Sequence, residues 1–392
     1  MEYNPLSPEA QENPFPYYAY LRREHPVVWL DPLHAWVISR YQDVDFAIRN
    51  PQLFSSAKWI TQSLGDLKPV PEVPWMIELD PSNHSRLRKL VSKAFTPRTV
   101  SLLEPRVRAI AEELLAPLRA NGKFDFVRDF SSTLPVIVIA EMLGVEPDHR
   151  ADFRRWSDNI VRATSRPSDE AERAAIRGTN AEMVAYFEEA IALRRREPRD
   201  DLLTALVQAE EDRQVLTAAE VLAMAILVLV AGNETTMNLL GNTVLALLTY
   251  SDVASTVRRD RSLVPQLIEE VLRYDSPVQL IFRRTSSEVK LSGTTIPADS
   301  TVFVLLGSAN RDEAKFPDPD RFDLRRDAGE HLAFGFGTHY CLGAGLARLE
   351  ARVSLEELLY SCPPFAGDAK IVERVRSPIV RGPKALPLAF SS

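Results

Sequence analysis

The chain holds only two cysteines, and one of them, Cys341, lies in a setting suited to thiolate chemistry. It is embedded in Phe334-Gly335-Phe336-Gly337-Thr338-His339-Tyr340-Cys341-Leu342-Gly343-Ala344-Gly345-Leu346-Ala347-Arg348. The glycines before the cysteine permit positive φ angles and close approach to a flat ligand. A helix expected over 342–359 aims its amide end at the sulfur and favours the ionised form. With Gly343 removing bulk beside it and Phe334 available to pack on it, such a thiolate suits an axial iron ligand. Cys362, in Ser-Cys-Pro-Pro, reads instead as a buried, inert thiol.

A second grouping, Ala231-Gly232-Asn233-Glu234-Thr235-Thr236, falls midway along an apolar segment. The small residues at 231 and 232 leave room beside a helix, and the Thr235 hydroxyl can bond the Ala231 carbonyl and open a local bend. Glu234 is a carboxylate among apolar neighbours, costly unless hydrogen-bonded or used for proton traffic. His84 and Arg88 stand four apart, on one helical face, where both reach a single anion.

These groups need a frame, and the sequence reads as mostly helical. Thr217-Ala218-Ala219-Glu220 is a capping box opening a helix over 217–250 that spans roughly 50 Å, which must be central because it is apolar on most faces. Further helices are expected over 82–94, 100–120, 134–142, 168–195 and 263–274, and strands over 27–39, 289–291, 301–305 and 386–390. A small sheet at one side would hold those strands. No repeat, linker or charge block marks a boundary, so residues 1–392 read as a single domain.

Lys and Arg number 47 against 54 Asp and Glu, a net charge of −7, which argues against a nucleic-acid partner. The paucity of cysteine fits a reducing interior. The N-terminus lacks a signal-peptide order, and no unbroken apolar run reaches the length of a membrane span, so a cytoplasmic protein without a membrane anchor is expected. Zinc and serine-hydrolase readings fail because Cys-x-x-Cys, His-Glu-x-x-His and Gly-x-Ser-x-Gly are absent.

The loop at 334–348 resembles the haem-binding signature of the cytochrome P-450 superfamily, Phe-Gly-x-Gly-x-His-x-Cys-x-Gly followed by Leu-Ala-Arg. Residues 231–236 are similar to that family's oxygen-activation motif, Ala-Gly-x-(Asp/Glu)-Thr-Thr. Glu270-Val271-Leu272-Arg273 is similar to its Glu-x-x-Arg motif, with Arg321 in Pro319-Asp320-Arg321-Phe322 matching the arginine that completes a buried ion network; Glu269 could also reach Arg273. The motifs run in family order from Asp80 to Arg348, so the likeness covers nearly the whole chain.

The resemblance implies a P-450 fold, mainly α with a small β region, and haem b whose iron is ligated by Cys341, with Phe334 and Gly335 beside it. His84, Arg88, Arg283 and His339 would hold the haem propionates, Arg284 being the neighbour that competes with Arg283 for the role. Thr235 and Glu234 would be the catalytic pair, one hydrogen-bonding oxygen and the other feeding protons. The activity implied is a monooxygenase acting on a hydrophobic small molecule in secondary metabolism: terpenoid, steroid, fatty acyl chain or polyketide. Its pocket would draw on 56–76, 152–190, 229–233, 278–281 and 379–380. Electrons would come from NAD(P)H through ferredoxin and ferredoxin reductase, with Arg86, Lys89, Lys93 and Arg98 as a docking patch on a monomer. A haem-thiolate peroxygenase and a non-catalytic haem-binding sensor are the alternatives.

Overall fold

The computed structural model describes residues 3–164, 169–211 and 216–391. It divides into two compact units, one built from residues 1–55, 103–132 and 235–392, the other from 56–102 and 133–234.

The first unit contains a five-stranded mixed sheet. The segment expected as one strand over 27–39 is a hairpin of Val27–Leu30 and Ala35–Ile38. The chain reverses because Asp31–Leu33 form a 3₁₀ turn around Pro32 and His34 adopts a left-handed φ of 46°. Ala35–Ile38 runs parallel to Thr301–Val304, which pairs antiparallel with Ile281–Thr285, and Phe54–Ser55 forms the edge. Ile38, Phe54, Val302 and Val304 lie on its buried apolar face, against which Ile296 of the separate hairpin Val289–Leu291/Thr294–Ile296 packs.

Helices Glu104–Asn121, Val264–Tyr274 and Ala344–Tyr360 complete this unit's scaffold. Beneath them lies an ion network that departs from expectation in one member. Arg273 donates from Nε and Nη2 to the two oxygens of Glu270, at 2.8 Å each. The third charge is Arg326, whose Nε lies 3.4 Å from Glu270. Arg321 is exposed and contributes only its carbonyl, 3.3 Å from Arg273 Nη2. A guanidinium five residues further along the chain reaches where Arg321 does not. Glu269 turns away from Arg273 and pairs with Arg348.

In the second unit the helices are Pro81–Val91, Leu134–Leu143, Arg150–Thr164, Glu170–Arg196 and Leu202–Glu211, joined by the first half of the long helix Ala218–Thr249. The capping box closes in both directions: the Thr217 amide donates to Glu220 at 2.7 Å and the Glu220 amide to the Thr217 hydroxyl at 3.2 Å. Of the helix expected over 168–195, Ser168 lies outside the described residues.

Val221–Leu229 are all buried. This helix is long and apolar enough to cross a membrane, the one such helix among the described residues, because its scattered polar residues do not outweigh its aliphatic ones. Gly232 does not leave room as expected: a Cβ there would meet the Ile139 side chain at 2.8 Å, so the glycine lets Leu134–Leu143 pack closely. Ala231 beside it is exposed.

The loop before Pro81–Val91 is fastened by a fully buried ion pair, Lys68 to Glu78 at 2.5 Å, with Lys68 also donating to the Thr61 hydroxyl and the Val73 carbonyl.

Candidate active site

The cysteine loop is closed by its own backbone. The Cys341 amide donates to the Phe334 carbonyl at 2.9 Å, the Gly335 amide to Leu332 at 2.9 Å and the Tyr340 amide to Gly337 at 3.1 Å. Gly335 and Gly337 hold φ of +65° and +67°, where a side chain would be strained, and a Cβ at Gly337 would press on the Ile48 carbonyl at 3.2 Å. Arg49 stacks on the Phe336 ring at 3.4 Å, and the Leu332 amide donates to Asn310 Oδ1 at 2.6 Å.

Arg348, one turn into the following helix, locks this loop from behind. It makes two bonds to Glu269, 2.7 and 2.9 Å, lies 4.5 Å from the Phe334 ring, and reaches the Tyr340 hydroxyl at 3.3 Å. Burial pushes the Glu269 carboxyl up, but the bonds from Arg348 and His331 outweigh it and bring it down to about 2. The pair therefore stays ionised throughout the physiological range.

That helix begins at Ala344 with Gly343 as its cap, two residues later than expected, because Cys341–Gly343 are spent on a turn. Cys341 is half-buried and in no disulfide; Cys362 is buried, and burial pushes its thiol up, as suits an inert group. Beside Cys341 there is space for a flat group. A Cβ at Gly343 would meet nothing within 4 Å, and one at Gly335 only the His339 carbonyl at 3.8 Å. One soft sulfur donor in a loop with open space at Gly335 and Gly343 fits haem.

In the same unit Arg283 is 8% exposed, on the buried face of Ile281–Thr285, its Nη1 donating to the Phe282 carbonyl at 2.7 Å. Strand alternation turns Arg284 to the other face, where it pairs with Asp299 at 2.5 Å. His339 ends the 3₁₀ turn Gly337–His339, and Thr235 is half-buried on the long helix.

The second unit carries His84, 1% exposed, and half-buried Arg88 one turn along the same helix. Burial first, then Arg88, brings the His84 ring down to about 4 against the opposing effect of Asp80, so it is neutral near pH 7. Glu234 is the converse: burial first, then the like charge of Asp158, raises it to about 7. Its neighbour Asn233 donates from Nδ2 to the Ser157 hydroxyl at 2.9 Å, which pins the long helix to Arg150–Thr164 at this level. Thus Phe334, Gly335, His339 and Cys341 share one loop, His84 and Arg88 share one helical face, and Arg283 stands on a strand.

Asp158, Arg326 and the Glu269–Arg348 lock were not read from the sequence. Arg326 carries a faint signal, an arginine four residues beyond Phe322; Asp158 carries none, because its effect on Glu234 comes from a remote segment. Glu350 is similarly hidden: wholly buried on the helix after the loop, its carboxyl is pushed up to about 8 by burial and so carries a proton at neutral pH.

Residues 4–363 match the cytochrome P450 family model. A cytochrome P450 109 of Bacillus spizizenii is 43% identical over 96% of this chain and 92% of its own length. A vitamin D(3) 25-hydroxylase of Pseudonocardia autotrophica is 42% identical over 97% of this chain and 94% of its own. The solved structure of cytochrome P450 CYP109Q5 from Chondromyces apiculatus superposes with a TM-score of 0.88 at 44% identity, covering 99% of this chain and 97% of that one. With the loop, fold and likeness in agreement, the chain belongs to the cytochrome P450 family, and is a haem-thiolate oxidoreductase of the monooxygenase type.

Proposed function

We propose that the protein inserts one atom of dioxygen into a hydrophobic small molecule, by hydroxylation or epoxidation, with residues 1–392 working as one domain. The observation that carries this is the half-buried Cys341 in a loop with open space at Gly335 and Gly343. Bound haem supplies the oxygen-activating redox chemistry, which no side chain provides. Cys341 Sγ would hold its iron as an anionic ligand. Phe334 and Gly335 would border it, and His84, Arg88, Arg283 and His339 would hold the propionate carboxylates. The Thr235 hydroxyl would donate a hydrogen bond to the bound oxygen species, and Glu234 would pass protons. The test is the absorption spectrum of the reduced protein with carbon monoxide: a strongly red-shifted Soret band, lost in Cys341→Ala. A band typical of imidazole ligation in the unaltered protein would overturn the assignment.

The likeness to a vitamin D(3) 25-hydroxylase supports a polycyclic or otherwise extended apolar substrate of secondary metabolism. Buried Trp75, Met76 and Ile60 on the 56–76 segment would supply one apolar wall. Turnover with hydrogen peroxide but none with ferredoxin and NAD(P)H would replace this reading by a peroxygenase.

For the electron donor we infer an acidic ferredoxin, served by its NAD(P)H-dependent reductase, meeting a cytoplasmic monomer. Lys89, Lys93 and Arg98 are exposed, whereas Arg86 is drawn off by an ion pair with Glu220 and leaves the patch. Reversing the charge of Lys89 and Lys93 will slow ferredoxin-driven reduction at low salt by about tenfold, and the difference will shrink as salt is added. Equal stopped-flow rates for the two proteins would remove the patch from the docking surface.

A further inference from the structure

The unit that carries Cys341 also holds a cleft of about 540 Å³, lined by none of the residues assigned above and within the size range of small-molecule sites. Three guanidiniums converge on it, Arg311, Arg374 and Arg381, and all three act on one buried carboxylate, Asp275. Arg374 and Arg381 bond it at 2.9 and 2.8 Å. Among the described residues Arg311 pairs within salt-bridge distance only with Asp320, at 3.0 Å, and that side chain is 68% exposed. Arg311 and Arg381 are buried and Arg374 nearly so, and they share one buried anion, the exposed Glu12 and Asp320 being the other carboxylates of the lining.

The hydrogen bonds leave donors to spare. Arg311 spends Nε on the Tyr274 carbonyl and Nη1 on Asp320; Arg374 spends its two Nη on Asn242 and Asp275; Arg381 spends Nε on Asp275 and Nη1 on the Gln11 and Glu12 carbonyls. Among the described residues nothing accepts from Arg311 Nη2, Arg374 Nε or Arg381 Nη2. Arg311 is held flat, 3.5 Å from the Phe15 ring and 3.7 Å from that of Tyr274. Burial lowers both Arg311 and Arg374 from the usual arginine value, against the opposing effect of Asp275. Part of the remaining wall is apolar, formed by Leu245, Ala246 and Phe322, whose ring stacks on Tyr250 at 5.0 Å, while Glu12, Asn13, Thr249 and Lys370 line the rest.

We propose that this cleft is a second small-molecule site, for an amphipathic organic carboxylate whose head lies on Arg311 and Arg374 and whose body lies along Leu245, Ala246 and Phe322. Planar guanidiniums with unused N–H groups suit a carboxylate, and the aliphatic and aromatic wall suits a short hydrocarbon tail. Such a ligand would act apart from the oxidised substrate, since its contacts share no residue with the cysteine loop.

The experiment is calorimetric titration of the haem-loaded protein with 4-phenylbutyrate while the iron is saturated with an imidazole-type ligand, so that the haem pocket is closed to the probe. One molecule is expected to bind per chain. Its neutral amide will bind about tenfold or more weakly, as will the acid to Arg374→Gln, because each removes a charge-assisted contact. Ala246→Trp, which fills the cleft without touching an arginine, will abolish binding while leaving the carbon monoxide spectrum unchanged. Equal affinity for acid and amide, or binding indifferent to Ala246→Trp, would overturn the proposal. So would displacement of the probe by inorganic phosphate at comparable concentration, which would make this a bare anion site.

Discussion

Glu270→Gln will cost the protein about 3–5 kcal/mol of stability, the range for removing one partner of a buried ion pair. Glu270 is 1% and Arg273 0% exposed at their side chains, so the charge left behind cannot turn to water. The carboxylate accepts two bonds from Arg273, faces Arg326, and takes the Asp323 amide at 2.9 Å; an uncharged amide cannot balance two guanidiniums. Arg326→Gln will cost less, because Arg326 sits at the margin of the network, with carbonyls of Pro317, Asp318 and Arg321 as further partners. The damage will reach the active site along a traceable path. Arg273 Nη1 donates to the Asn310 carbonyl at 3.0 Å, and Asn310 Oδ1 holds the Leu332 amide at the base of the cysteine loop. Denaturant titration should therefore show an earlier midpoint in Glu270→Gln, and haem lost at lower denaturant than in Arg326→Gln. A midpoint equal to that of the unaltered protein would mean that the network is not what holds this region.

That network also shows what a sequence can and cannot disclose. Cys341 was legible because its chemistry depends on near neighbours in the chain: two positive-φ glycines, a short turn and a helix start. The Glu270–Arg273 pair was legible for the same reason, being three residues apart on one helix. Its third member was assigned to Arg321 instead of Arg326, because that choice depends on how the chain curls between Pro317 and Arg326, which is set by the carbonyls it meets. Arg283 and Arg284 could be separated only once the strand Thr301–Val304 fixed which face of Ile281–Thr285 is buried. The hairpin at 27–38 was legible in principle, since Asp31-Pro32 is a turn signal between two runs of four residues. Local pattern specifies local structure, and remote partners specify the electrostatics.

Glu234, proposed above to pass protons, is where such a remote partner would tune the reaction. Glu234→Gln will lower product formation by about 100-fold or more, the usual worth of a positioned proton donor, while haem binding survives. Thr235→Ala will keep electron consumption but divert it from product to peroxide. Neither result alone separates a proton donor from a structural carboxyl; the pH profile does. With its carboxyl near 7, raised from an ordinary 4.5, Glu234 is mostly protonated at pH 6 and mostly ionised at pH 8. The donor form is thus lost as pH rises, and product formed per NAD(P)H will fall across that interval in the unaltered protein and stay flat in Glu234→Gln. Asp158→Asn supplies the decisive arm. Removing that like charge lets Glu234 ionise more readily, so the fall will move to lower pH and the yield at pH 7 will drop. If the profile of Asp158→Asn overlays that of the unaltered protein, burial alone tunes Glu234 and the facing helix Arg150–Thr164 plays no electrostatic part. If the shift occurs, that helix sets when the proton is available, because Asn233 and Ser157 hold it against the long helix one residue away from the carboxyl it tunes.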